Sequence, residues 1–149
     1  MKKAIVILTL ACSAFAASAQ SAFFRECEEM NDVETVYISK TMLHLVGLMK
    51  VEADDFDFSG LVRKLESIEI VNAEGDAAKA LASKADSGFK GYEKLMAGKD
   101  SNDNVDILYK NIAKDHNSFV IVAREPDELS VVVLDGNLTA DDVMKAARK

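Results

Sequence analysis

The sequence predicts an α+β domain: a mostly antiparallel sheet of about five strands with helices packed on one face. Three observations carry that class. Residues Val33 to Ile38 alternate as a half-buried strand does. Apolar residues recur at helical spacing after Ser39 and after Asp76. The last third holds three β-branched, apolar runs separated by short turn compositions.

Ahead of the domain, Met1 to Ala19 reads as an export signal. Lys2 and Lys3 make a positive start, Ala4 to Ala16 an apolar stretch, and Ala17-Ser18-Ala19 before Gln20 the small-x-small pattern of a cleavage site. The mature chain is then expected to begin at Gln20. A rival processing site is Cys12, because Ala11 fits a lipobox. Thr9 and Leu10 fit it poorly, however, so soluble export to the periplasm or beyond is favoured over a lipid anchor. Nothing after residue 19 approaches the run of about 18 apolar residues that a transmembrane helix needs.

Residues 20–31 read as an N-terminal arm or short helix, and 32–149 as a single α+β domain. In Val33-Glu34-Thr35-Val36-Tyr37-Ile38 the β-branched and aromatic content favours a strand. Ser39 can cap a following helix whose Met42, Leu45, Val46 and Met49 fall at i, i+3, i+4 and i+7, with Leu43 and Leu48 widening a well-buried face. Glu52 to Asp57 is acidic and breaks the pattern as a loop. Phe58, Leu61, Val62 and Leu65 predict a second helix over two turns, running into a strand from Ile68 to Ala73.

Asp76 starts the longest predicted helix, with Ala78, Leu81, Ala85, Phe89, Tyr92 and Met96 spaced by three or four. Gly88 and Gly91 each weaken its middle by about 1 kcal/mol, so a kink or break is expected there. The strands Val105 to Ala113, Phe119 to Arg124 and Leu129 to Leu134 form a meander, linked through Asp115-His116-Asn117-Ser118 and Glu125-Pro126-Asp127-Glu128. Leu129 to Leu134 is apolar on both faces, so it is either central or an edge that pairs with a partner. Thr139 with Asp142 resembles a capping box for a final short helix, and Lys145, Arg148 and Lys149 complement its dipole.

Composition bounds the function. Removing the first 19 of 149 residues leaves 130, enough for one core without disulfides or metals, and losing Lys2 and Lys3 takes the formal net charge from −7 to −9. An acidic surface argues against nucleic acid and anionic lipid. Cys27 becomes the only thiol of the mature chain, so no internal disulfide is possible, and burial near the start of the domain is its simplest fate.

No catalytic, cofactor or metal site is specified. His44 and His116 lie far apart in the chain and suit a helix edge and a turn. Asp100-Ser101-Asn102-Asp103-Asn104-Val105-Asp106 has the alternate oxygens of a calcium loop, but Val105 stands where glycine is needed and Asn111 where the bidentate glutamate belongs. A solvated turn before a strand accounts for it. The acids Glu52, Asp54, Asp55 and Asp57 read as a charged loop. Cys27, His116 and Asp115 could form a catalytic grouping only if the fold gathered them, and no local signature supports one. The reading therefore leans away from an enzyme.

Three segments together carry a resemblance: Val33-Glu34-Thr35-Val36-Tyr37-Ile38-Ser39-Lys40-Thr41-Met42-Leu43, Tyr92-Glu93-Lys94-Leu95-Met96, and the Arg124 to Gly136 hairpin ending Val-Val-Val-Leu-Asp-Gly. The chain resembles the exported Bacteroidetes proteins grouped as domain of unknown function 4252. That resemblance implies an envelope or secreted α+β domain and supplies no catalytic residues. The expected role is a non-enzymatic exported domain acting through contact with an envelope protein or with itself. The alternative is a binder of a small apolar ligand, with Met42, Met49, Phe89, Tyr92 and Met96 lining a pocket between helices and sheet.

Overall fold

The computed structural model describes residues 21–46, 52–53, 56–57 and 61–147. The export segment, with Cys12, Ala17, Ser18, Ala19 and Gln20, lies outside the described residues, as do Met49, Asp54, Asp55 and Phe58. Four helices are described, α1 (Ala22–Glu28), α2 (Lys40–Val46), α3 (Gly75–Gly88) and α4 (Ala140–Ala147). The strands are β1 (Val33–Ser39), β2 (Glu52–Ala53), β3 (Phe56–Asp57), β4 (Leu65–Glu74), β5 (Glu93–Asp100), β6 (Asp103–Ala113), β7 (His116–Arg124) and β8 (Glu128–Gly136).

Six strands form one sheet in the order β1-β4-β8-β7-β6-β5, antiparallel throughout, while β2 and β3 pair separately. The α+β class and the closing meander follow the sequence reading. β8 is central, held between β4 and β7, which accounts for its apolar residues on both faces.

Both faces of the sheet carry helices, where cover on one face was expected. Strand alternation sends Val71, Val120 and Val131 to one face, where α1 supplies Phe24 and Cys27, α3 supplies Leu81, and Phe89 follows just after α3. Ile68, Phe119 and Leu134 point the other way, against Leu43 of α2, Leu61 and Val62, and Val143 of α4. A sheet whose central strands are apolar on both faces has two surfaces to remove from water.

The sixth strand is β5, which the helical spacing through Tyr92 and Met96 had absorbed into one long helix. That helix ends at Gly88, within the glycine pair, and Glu93–Asp100 pairs instead with β6. β5 is exposed along almost its whole length, so its conformation comes from the ladder and not from a buried stripe. The expected helix over Phe58 to Leu65 is reduced, among described residues, to a turn at 61–64. There the Leu65 amide donates to the Leu61 carbonyl at 3.1 Å, after which pairing with β8 takes over.

The N-terminal arm is a packed helix. Ser21 caps α1 by accepting from the Phe24 amide at 3.1 Å, and Phe23, Phe24 and Cys27 are buried. In α2 the Ser39 hydroxyl accepts from the Met42 amide at 3.3 Å, as expected of a cap. The buried position is Leu43, however, leaving Met42 49 % and Leu45 60 % exposed. The capping box of α4 forms in both directions: Thr139 N–H donates to Asp142 Oδ2 (3.0 Å) and Asp142 N–H to Thr139 Oγ1 (3.2 Å).

Candidate functional site

One end of the face that carries α1 and α3 is polar. Period-2 alternation places Ser67 and Glu69 of β4 in phase with Val71, and the sheet register sets Ser67 opposite Asp135 of β8, which in turn faces Ser118 of β7. Tyr37 of β1 faces Glu69 across the other side of β4. These strands build the floor of a cleft of ≈ 650 Å³ lined by Ser21, Tyr37, Ser67, Tyr92, Ser118 and Asp135. Exposed Glu66, Ile112, Lys114 and Asp115, with half-buried His116, stand around it.

Ser67, Glu69 and Ser118 are the buried polar residues of the described chain. Tyr92 donates its hydroxyl hydrogen to Ser118 Oγ at 3.1 Å. The Ser21 amide donates to Glu69 Oε2 at 2.8 Å and the Ser21 hydroxyl to Glu69 Oε1 at 2.6 Å. Burial pushes the Asp135 carboxyl above the usual range, against the downward pull of its bond with Ser118 and of His116. Burial likewise raises Glu69, opposed by the two Ser21 bonds and reinforced by Asp135 and Glu28. The phenols of Tyr37 and Tyr92 are raised by burial first and by Glu69 and Asp135 besides.

Hydroxyl, carboxylate and imidazole therefore share one cleft, but not in a nucleophilic order. Ser118 is 2 % exposed and its oxygen accepts from Tyr92, with Asp135 beside it, so what keeps it from an external carbonyl is burial. The arrangement is suited to holding a polar or charged group. Cys27, His116 and Asp115 are not gathered: Cys27 is 0 % exposed beneath α1, and burial pushes its thiol up to about 11, the direction opposite to activation.

The other sequence candidates also separate. Asp100 and Asp103 pair across a two-residue hairpin turn, Ser101 adopting φ 54°, and Asp106 faces Arg124 at 2.9 Å. Among the described residues no three His, Cys, Asp or Glu side chains converge on a metal position. His44 is exposed on α2, and His116 opens β7. Phe89 and Tyr92 pack on one face of the sheet while Met96 packs on the other, so the apolar pocket expected of them is not built. The signal for the polar cleft was Glu69, a charge in inward phase within Ile68-Glu69-Ile70-Val71.

The family described as Domain of unknown function (DUF4252) matches residues 24–146, from the first turn of α1 to the last of α4. The chain belongs to that family. No curated protein and no solved structure matches it. DUF4252 membership assigns no activity, and the features of this cleft are those of the chain's own residues. No described helix is long and apolar enough to cross a membrane.

Proposed function

We propose that the protein is exported to the bacterial envelope or beyond and acts there by protein contact, without catalysis, through the edge of β1 that has no strand partner among the described residues. The export reading is supported by the Lys2-Lys3 start, the apolar stretch and Ala17-Ser18-Ala19 before Gln20.

The observation that carries the contact reading is the contrast between the two edge strands. β5 has the features that blunt an edge: Lys94 and Lys99, Gly98, and a bulge between Lys94 and Met96. Antiparallel pairing with its own copy would set Glu93 against Asp100 and Lys94 against Lys99. β1 is a regular, β-branched edge with Glu34 as its only charge. Paired antiparallel with a second copy about Val36, it opposes Glu34 to Ile38 and Thr35 to Tyr37, with no like charges facing. Val36 is 47 % exposed, and Val36, Met42 and Leu45 are three of the five exposed large apolar side chains described.

Light scattering on the chain from Gln20 tests this, together with Val36→Lys. A dimer converted to monomer by the substitution is expected. A strict monomer that retains nothing from envelope extract would overturn the reading.

A further inference from the structure

The β6–β7 hairpin forms one rim of the polar cleft, and its ladder is irregular at the residue that reaches that rim. Asn111 faces Asn117 and Ala113 faces His116, so Ile112 is an extra residue in β6 with no opposite number. A bulge of this kind re-aims a side chain. Ile112 lines the cleft and is 49 % exposed, an apolar side chain at the mouth of a site whose floor is polar. The turn that follows brings Lys114 and Asp115 to the same rim, and His116 opens β7 beside them.

Charges of both signs line this cleft, and they decide the class of ligand. His116 acts electrostatically on the Asp135 carboxyl of β8, while Lys114, Asp115 and Glu66 stand at the rim. An organic cation entering the cleft meets Lys114 and the His116 imidazole. An anion meets Asp135, Glu66 and Asp115. Either is opposed by charges already in place. A neutral ligand rich in hydroxyl groups is not, because each hydroxyl both donates and accepts. It can donate to Asp135 and accept from Lys114, with the hydroxyls of Ser67 and Tyr37 beside it. Glu69 is already engaged, since both its oxygens accept from Ser21. The volume of ≈ 650 Å³ falls in the range of small-molecule sites, about 300–1,000 Å³.

We propose that the cleft at the β6–β7 hairpin is a binding site for a neutral saccharide, its hydroxyls bridging Asp135 and Lys114 and the apolar face of a sugar ring covering Ile112. A sugar ring carries both parts of that match, hydroxyls around its rim and C–H groups on its faces. The site goes beyond the contact at Val36 and does not rest on it, so either can fail alone. Binding of this kind stabilises the fold by mass action.

The chain from Gln20 contains every described residue of the site. Saturation-transfer NMR and thermal melting test it against millimolar glucose, galactose, mannose and N-acetylglucosamine, and the disaccharides maltose, lactose, cellobiose and chitobiose. At least one saccharide is expected to receive saturation and to raise the melting temperature, while free alanine, spermidine and citrate do neither. Ile112→Ala combined with Lys114→Ala changes exposed side chains, so the free protein should melt as before while saccharide binding weakens several-fold. Asp135→Asn should weaken it by about tenfold, through loss of a hydrogen bond to a charged group; if that variant does not fold, the double substitution decides. No saturation of any saccharide would overturn the proposal. A response to alanine, spermidine or citrate in place of the saccharides would overturn it too, by making the site one for a zwitterion, a cation or an anion. So would saccharide binding unchanged by the double substitution, because the site would then lie elsewhere.

Discussion

Gly136 lies against the backbone of Lys64, so that a Cβ on the glycine would overlap the Lys64 carbonyl oxygen and stand 2.9 Å from Leu65 Cα. The approach is closed by the Asn137 amide donating to Lys64 O at 3.0 Å, beside the bulge where β4 enters the sheet. Both sides of the contact are main chain and cannot turn aside. Gly136→Ala is expected to destabilise the protein by about 2–3 kcal/mol, read as a lower urea midpoint at unchanged slope.

Phe23 measures whether α1 belongs to the core. Its ring sits 4.7 Å from that of Phe89, at 51°, and closes over the end of α3. Phe23→Ala should cost about 3–5 kcal/mol, whereas Glu29→Ala, exposed just past the same helix, should stay within about 0.5 kcal/mol. Equal effects in denaturant titrations would mean that α1 is peripheral.

Cys27 should react only when the fold opens. Its sulfur is sealed beneath α1 and its thiol is pushed up to about 11 by burial. Labelling by iodoacetamide at pH 8 is expected to follow unfolding and to accelerate with urea in step with it. Rapid labelling in native buffer would contradict the packing.

Asp142 gives a pH dependence of known sign. Its hydrogen bonds with Lys64 and with the Thr139 backbone and hydroxyl hold its carboxyl below the ordinary aspartate value of 3.8. A lowered acid contributes stability that is present above that ordinary value and is lost as pH falls through the lowered one. Asp142→Ala should therefore cost about 1 kcal/mol near neutrality and little in strong acid, as compared by urea titrations across pH.

The two sheet edges should respond in opposite ways to charge. Adding a lysine to β1 through Val36→Lys is expected to lower the solution mass. Removing two from β5 through Lys94→Thr with Lys99→Thr is expected to raise it, by exposing an unblunted edge. Light scattering at matched concentrations reads both.

Local chemistry was legible wherever a few neighbouring residues decide the outcome. Ser39 and Thr139–Asp142 cap the helices expected of them, and the alternation of β7 and β8 marks their strands. Tyr92 to Met96 misled because its apolar spacing suits a helix, while pairing with β6 makes most of that stretch a strand. Met42 and Leu45 misled similarly: a helical stripe states which residues share a face, not which face meets the core.

By itself the sequence determined the α+β class, the small-x-small pattern ahead of Gln20 and the acidic balance. Each depends on composition or on spacing within a few turns of chain. Tertiary structure alone decided the strand order, the helices on both faces and the cleft. Ser21 meets Glu69 across 48 positions, and Ser67, Asp135 and Ser118 become neighbours through cross-strand register. Contacts of that range form only when burial of both sheet faces compensates the entropy of closing long loops, and no local pattern in the chain encodes them.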